Sequence, residues 1–157
     1  MPVDSKYIYS FEEGSKEMKN LLGGKGAGLA EMTRIGLRTP PGFTITTEVC
    51  NFYFKNGKLP SGLWEDVQNS VKILEKETGR VFGGGPKIML VSVRSGAPVS
   101  MPGMLDTVLN LGMNDRNVEQ FATETGNPRF AWDSYRRFIQ MFGRSMESLR
   151  GKKSILL

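Results

Sequence analysis

The run from Ile88 to Arg94, with the sequence Ile-Met-Leu-Val-Ser-Val-Arg, is the strongest β-strand signal in the chain. Its apolar residues follow one another without alternating with polar ones, a pattern typical of a strand that is buried on both faces. Segments with helical periodicity occur on both sides of this run in the sequence. Because strands and helices alternate along the chain, the sequence predicts a mixed α/β architecture.

Shorter signals complete the pattern. Helices are predicted where apolar residues recur at helical spacing or where a cap precedes them, at residues 27–35, 47–55 with Thr47 as the cap, 63–79, 118–125, from near Asp106 and from Pro128. Gly57, Gly79 and Gly126 are predicted to end three of these helices. Strands are predicted at residues 7–9 and 43–46, and residues 21–26 are predicted to form a glycine-rich loop. These strands are too few for a complete large α/β domain, so the predicted fold class is α/β (α+β), incomplete.

Composition excludes several classes of protein. The chain has 157 residues, of which 39% are hydrophobic and 24% are charged, as in globular proteins. No apolar run approaches the roughly 18 residues that span a membrane, and the first ten residues do not resemble a secretory signal. The single cysteine, Cys50, indicates a reducing compartment. We therefore expect a cytoplasmic protein with no membrane partner, and an organelle is the alternative location.

The net charge of +5 comes from an excess of basic residues near the C-terminal end of the sequence. Residues 127–157 carry seven Lys and Arg side chains against two acidic ones, whereas residues 1–126 are neutral. A basic end can attract nucleic acid, but a solvated helix face with a loose basic tail is the favoured interpretation. Nucleic acid is therefore not the expected partner.

Histidine is absent from the chain. Every mechanism that needs a histidine nucleophile, base or metal ligand is therefore excluded from this chain. The sequence also lacks the spacings typical of zinc and calcium sites. We predict no metal site formed by this chain alone.

The first candidate site is Gly23-Gly24-Lys25-Gly26, between a predicted strand and a predicted helix. Glycines let backbone N–H groups approach an anion, and a helix start adds partial positive charge. Lys25 adds a full charge that can reach phosphate oxygens. The segment is not a P-loop, because Lys25 is followed by glycine instead of Ser or Thr. The alternative is a tight turn with an exposed lysine.

The second candidate is Arg94, at the end of the strongest strand and before Gly96. Ligands of α/β proteins bind at such strand ends, and the planar guanidinium suits bidentate phosphate contacts. The alternative is an arginine held in a salt bridge at the strand end.

The third candidate is the segment from Ser100 to Thr107, which contains two methionines, a proline and a glycine. The N–H of Gly103 and the hydroxyl of Thr107 could both donate to an anion. A surface loop that packs its methionines on the core is the favoured alternative, since methionine commonly fills gaps there.

Taken in order, five segments closely resemble the start of the pyruvate, phosphate dikinase family. They are residues 21–32, 41–48, 90–97, 100–107 and 126–141. The resemblance runs in register from about residue 6 to residue 143. It implies the N-terminal portion of an ATP-grasp nucleotide-binding domain, here residues 1–143, followed by a divergent basic tail at residues 144–157.

The resemblance also implies a reaction and its cofactors. The family interconverts ATP, phosphate and pyruvate with AMP, diphosphate and phosphoenolpyruvate, using Mg²⁺ and a phosphorylated histidine in a central domain. Lys25 matches the lysine that reaches the ATP phosphates, and Arg94 matches the catalytic arginine that contacts the transferring phosphates. Gly103 and Thr107 match positions in the loop that closes over the triphosphate. Lys25 and Arg94 are therefore expected to face one triphosphate.

Other parts of the family's site are expected outside this chain. They include the carboxylates that bind Mg²⁺, the residues that bind adenine and the phosphorylated histidine. We therefore expect a truncated chain that binds ATP and is inactive alone, with the remaining dikinase domains as partners. The alternative is a non-catalytic nucleotide- or anion-binding module, or one subunit of a split enzyme.

Overall fold

The computed structural model of the protein describes residues 6–95 and 107–153, with side chains up to residue 147. Within these ranges the backbone forms six short strands and five α-helices. The described residues belong to two units with separate internal packing, residues 6–77 (the first unit) and residues 78–95 with 107–153 (the second unit). The predicted mixed α/β class is confirmed.

The first unit begins with a two-stranded antiparallel sheet. Strand β1 (Ile8–Ser10) pairs with β2 (Phe43–Ile45), so that Ile8 lies opposite Ile45. Both strands were predicted from their β-prone residues, and both predictions are confirmed. A short 3-10 helix (Lys16–Met18) and helix α1 (Lys19–Arg34) connect them.

The core of the first unit is formed by one face of α1. Leu22, Ala27 and Ala30 are buried there, with Tyr9 and Met18 packed against them among the partly buried residues. Two of the three buried side chains are alanines, so the helix backbone approaches its neighbours closely.

The predicted loop at residues 21–26 is wrong. These residues lie within α1, and only Gly23 leaves the helical region of backbone space, with φ 71° and ψ 169°. The helix is therefore kinked at Gly23, and a second helical part begins immediately after it. Three glycines in six residues predicted a loop because glycine disfavours helix interiors, but packing against the core outweighs that local preference.

Two further helices complete the first unit. Helix α2 (Thr47–Asn56) ends at Gly57, whose φ is 67° and whose N–H donates to the Tyr53 carbonyl at 2.8 Å. The expected cap, Thr47, is instead the first helical residue, and its hydroxyl donates to the Asn20 carbonyl at 2.7 Å. Helix α3 (Leu63–Thr78) ends before Gly79, as predicted.

The second unit contains two small sheets. Strand β3 (Val81–Phe82) runs parallel to β4 (Ile88–Met89), and β5 (Val91–Arg94) runs antiparallel to β6 (Thr107–Leu111). The strongest predicted strand is thus divided at Leu90. Its burial on both faces holds for β4 alone, because Ser92, Val93 and Arg94 are exposed.

The helix predicted from near Asp106 is also wrong, because Thr107–Leu111 is strand β6. Thr107 and Val108 are β-branched and favour extended backbone. Strand β5 provides the pairing edge on which β6 forms. The nearest paired residues, Arg94 and Thr107, are 13 positions apart in sequence, and this pairing outweighs a weak local helix signal.

Helices α4 (Val118–Thr125) and α5 (Pro128–Lys153) pack on each other, and α5 also covers β6. Both starts were predicted, and Asn127 caps α5 by accepting a hydrogen bond from the Phe130 N–H at 3.0 Å. Helix α5 continues through Gly143 without a break. The predicted domain boundary at residue 143 therefore does not coincide with the end of a helix, and it stays a prediction.

The core of the second unit lies between α4 and α5. Its buried residues are Met113, Val118, Ala122 and Ala131. Other positions of α5 leave large apolar side chains exposed, including Phe130 at 52% and Ile139 at 53%. The described residues include no helix that is both long and apolar enough to cross a membrane.

The turn between β6 and α4 is built by two asparagines. Asn114 accepts hydrogen bonds from the N–H groups of Arg116 and Asn117, and its side-chain amide donates to the Gly83 carbonyl at 2.9 Å. The buried Asn117 donates to the Gly112 carbonyl at 2.8 Å. These bonds fix the end of β6 against the glycine turn between β3 and β4.

The ionisation of Tyr135 on α5 depends on a hydrogen bond within the second unit. The Tyr135 hydroxyl donates to Asp115 Oδ1 at 2.5 Å, and this bond raises the pKa of the phenol, with smaller contributions from burial and from the Asp115 charge. The bond therefore stabilises the fold below the ordinary tyrosine pKa of about 10, and this contribution is lost as the pH rises through the raised value.

We expect the pKa of Tyr135 to be raised above its ordinary value in an ultraviolet titration of phenolate absorbance, read as the difference between the wild-type chain and Tyr135→Phe. Asp115→Asn should lower the pKa of Tyr135, whereas Glu119→Gln on α4 should leave it unchanged. An unaltered Tyr135 titration in Asp115→Asn would contradict this assignment.

Candidate functional site

Lys25 is placed by the kink in α1. It is the second residue after Gly23, in the first turn of the second helical part, and its side chain is half-buried. The backbone is held close to β2 here, since a Cβ on Gly26 would lie 2.8 Å from Thr44 Oγ1. The start of a helical segment carries partial positive charge, which adds to that of the ammonium group. The arrangement suits an anion.

A cavity of about 460 Å³ in the first unit is lined by Tyr7, Glu48, Asn51, Phe52, Lys55 and Asn56, and does not include Lys25. Lys25 therefore lies at the start of a helical segment and does not line this cavity.

Arg94 and Thr107 are brought together by the second unit. They lie directly opposite each other in the β5–β6 pair, at the last residue of one strand and the first of the other. Directly opposite residues in an antiparallel pair have Cβ atoms roughly 5 Å apart, so one anion can contact both side chains. Arg94 is exposed and Thr107 is half-buried.

The alternative interpretation of Arg94 was a salt bridge at the strand end. Within residues 6–95 and 107–147, no carboxylate lies within ion-pair distance of Arg94. The guanidinium is thus not neutralised by this part of the chain. An uncompensated arginine beside a hydroxyl is a suitable contact for phosphate.

The remaining candidate, Gly103, lies outside the described residues. Lys25 belongs to the first unit, and Arg94 with Thr107 to the second. The structure therefore brings together two of the four predicted residues, and the triphosphate shared with Lys25 stays a prediction.

Comparison with known proteins identifies the family. Residues 19–72 match the family model described as "Pyruvate phosphate dikinase, AMP/ATP-binding domain". The chain is 56% identical over 138 residues to the pyruvate, phosphate dikinase of Entamoeba histolytica, and 55% identical over 139 residues to that of Clostridium symbiosum. These matches cover 87% and 88% of the chain. The chain belongs to the pyruvate, phosphate dikinase family.

A plant relative of the dikinase family gives a similar match. The chloroplastic pyruvate, phosphate dikinase of Mesembryanthemum crystallinum is 54% identical over 143 residues, 88% of the chain. The chain spans only 16% of the length of the first two relatives and 15% of the plant protein. The AMP/ATP-binding match contains Lys25 but ends before Arg94 and Thr107.

Dikinase chemistry, by the resemblance given above, uses Mg²⁺. Among residues 6–95 and 107–147, no cluster of three or more carboxylate or cysteine side chains is placed to bind a metal ion. Mg²⁺ is commonly held by one or two carboxylates together with nucleotide phosphates, so the described residues offer no all-protein cage for it.

One residue relevant to the site was missed by the sequence analysis. Asn110 lies three residues after Thr107 and has a φ of 60°, the one positive φ among the described residues other than glycine. An asparagine within Val-Leu-Asn-Leu and before Gly112 was a usable signal, because asparagine adopts this conformation more readily than most residues.

Proposed function

We propose that this chain provides part of the ATP-binding site of a pyruvate, phosphate dikinase, on the side of the phosphates. The single observation that carries the proposal is the AMP/ATP-binding match over residues 19–72, which includes the kink at Gly23 and Lys25 after it. Arg94 lies opposite Thr107 and has no ion pair among the residues that the structure describes, which supports the same conclusion independently.

Each residue has a distinct role in this proposal. Lys25 contacts phosphate oxygens as a point charge, and Arg94 contacts the transferring phosphate through its planar guanidinium. Thr107 and the N–H of Gly103 donate hydrogen bonds to the same anion. Charge spreads over the phosphate oxygens during phosphoryl transfer, so fixed cations and donors lower the barrier, and Arg94 is the residue we assign to catalysis.

The complete reaction is also part of the proposal. ATP, phosphate and pyruvate would give AMP, diphosphate and phosphoenolpyruvate, through a histidine that this chain does not contain. Mg²⁺ would be held by the nucleotide and by residues outside the described ranges. We therefore expect no phosphoenolpyruvate from this chain alone, the remaining dikinase domains as its partners, and a cytoplasmic location.

Isothermal titration of MgATP into the 157-residue chain tests the proposal. Removing one charged hydrogen-bonding partner of a phosphate costs about 1.5–3 kcal/mol, so Lys25→Ala and Arg94→Ala should each weaken binding about 10- to 100-fold. Lys19→Ala in α1 and Lys87→Ala before β4 remove the same charge from exposed positions of the two units. These controls should change affinity by less than about twofold.

Two results would contradict the proposal. The first is a wild-type chain that releases no binding heat with MgATP. The second is equal affinity for the wild-type chain, Lys25→Ala and Arg94→Ala, which would exclude both residues as phosphate contacts.

A further inference from the structure

The pairing of β5 with β6 contains an irregularity close to Arg94. Val91 lies opposite Leu111, whereas Val93 lies opposite Val108. Two steps along β5 thus correspond to three steps along β6, so β6 carries one extra residue between Val108 and Leu111. An extra residue on one strand of an antiparallel pair is a β-bulge, and it shifts the pairing of everything beyond it.

The conformation of Asn110 accounts for this bulge. Its φ of 60° lies in the left-handed region, which asparagine and glycine adopt more readily than other residues. Its carbonyl accepts a hydrogen bond from the Met113 N–H at 3.2 Å, and its side-chain amide donates to the Ser134 carbonyl on α5 at 3.4 Å. The bulge is thus held between the buried turn that follows β6 and the helix that covers it.

The bulge decides which residue faces Arg94. If the pairing of Val91 with Leu111 continued without an extra residue, Arg94 would lie opposite Val108. With the bulge, Arg94 lies opposite Thr107. A shift of one residue also turns each side chain of a strand to the other face of the sheet. Without the bulge, a methyl-bearing valine would replace the hydroxyl beside the guanidinium.

We propose that Asn110 is a positioning residue, whose left-handed backbone sets the register that places the Thr107 hydroxyl beside Arg94. This inference rests on the proposed function, since the pair it positions is the proposed phosphate contact of the second unit. Asn110 itself touches neither the phosphate nor the reacting atoms. It acts through the strand register, and its backbone conformation matters more than its amide group.

The test compares substitutions that keep or oppose a positive φ. Asn110→Gly keeps the conformation and removes the side chain, whereas Asn110→Val opposes it, because a β-branched residue is rarely found there. Asn110→Ala opposes it less strongly and serves if Asn110→Val does not fold. In each 157-residue variant, nuclear Overhauser effects between the backbones of Arg94 and Thr107 report the register. Titration with inorganic tripolyphosphate and with ATP, followed by the amide shifts of the same two residues, reports phosphate binding.

We expect Asn110→Gly to keep the Arg94–Thr107 contact and to bind tripolyphosphate within about threefold of the wild-type chain. Asn110→Val, or Asn110→Ala in its place, should lose that contact and bind about tenfold or more weakly, as the strain of a disfavoured backbone would produce. If the Asn110 side chain acted only through its hydrogen bond to the Ser134 carbonyl, Asn110→Gly would be as defective as the other variants. That result would overturn the inference. Unchanged register and affinity in Asn110→Ala and Asn110→Val would overturn it equally.

Failure of the proposed function gives a different result. A wild-type chain whose Arg94 and Thr107 amides do not respond to tripolyphosphate or ATP would refute the phosphate role of the pair. The Overhauser contacts in the three variants would still decide separately whether Asn110 sets the register.

Discussion

Replacement of Gly112 by alanine should lower the free energy of unfolding of the second unit by about 3–5 kcal/mol. Gly112 has a φ of 112°, which a residue with a side chain adopts only under strain, and its added Cβ would lie 2.7 Å from the Met89 carbonyl oxygen. The obstacle is backbone, which cannot rotate away as a side chain can. Both effects oppose the native conformation at the turn that follows β6.

Urea unfolding of single-tryptophan variants measures this loss in the second unit alone. The chain has two tryptophans, Trp64 in the first unit and Trp132 in the second. In a Trp64→Phe background, the fluorescence of Trp132 reports the second unit, and the free energy follows by linear extrapolation.

Gly126→Ala is the matched control. Gly126 also has a positive φ, 64°, but open space surrounds the position of its Cβ. Alanine there should cost about 1 kcal/mol, from backbone strain alone. Equal losses in the two variants would show that the close approach of Gly112 to Met89 does not matter.

Replacement of Gly23 by alanine should destabilise the first unit by about 1–3 kcal/mol and weaken ATP binding in the same protein. The φ of 71° and ψ of 169° at Gly23 lie in a region that is essentially restricted to glycine. Alanine must either retain the kink under strain or remove it. In both cases the helical part that carries Lys25 is displaced or destabilised, so the two losses should appear together.

Gly28→Ala is the control in the same helix. Gly28 lies in the second part of α1, and a Cβ there would meet nothing within 4 Å. Alanine is the better helix former, so this variant should gain about 0.5–1 kcal/mol and keep its ATP affinity. Urea unfolding followed by Trp64 in a Trp132→Phe background, with titration of MgATP, gives both quantities. Equal stability of Gly23→Ala and the wild-type chain would exclude the kink as a constraint.

The features predicted correctly from the sequence are those with local causes. Helices α2, α3 and α4 end where Gly57, Gly79 and Gly126 follow, and each of these glycines has a positive φ. Glycine adopts this conformation without the steric penalty of a side chain, so the end of a helix can be assigned from one residue. The start of α5 at Asn127 and Pro128 follows similarly from a local hydrogen bond.

The features predicted wrongly depend on residues distant in sequence. The glycines at positions 23–26 favour a loop locally, and they lie in a helix because Leu22, Ala27 and Ala30 are buried against the rest of the first unit. The β-branched Thr107 and Val108 favour extended backbone, but strand β6 forms because β5 presents a pairing edge, which residues 107–111 alone do not reveal. Tertiary packing outweighs local propensity in both segments.

The candidate site shows the same division. Lys25, Arg94 and Thr107 were selected as candidates from residue type and resemblance, since charge and hydrogen-bonding capacity are properties of the residue itself. The pairing of Thr107 with Arg94 was not predicted. That Thr107 faces Arg94 depends on a bulge of one residue, and counting along the sequence cannot show on which strand an extra residue lies.

The two buried clusters have a consequence for how the chain folds. Each draws its members from a short stretch of sequence, Leu22 to Ala30 in the first unit and Met113 to Ala131 in the second. Little loop-closure entropy opposes contacts between residues so near along the chain. Collapse can therefore start at two places independently and early, while the pairing of Ile8–Ser10 with Phe43–Ile45 must await a much longer closure.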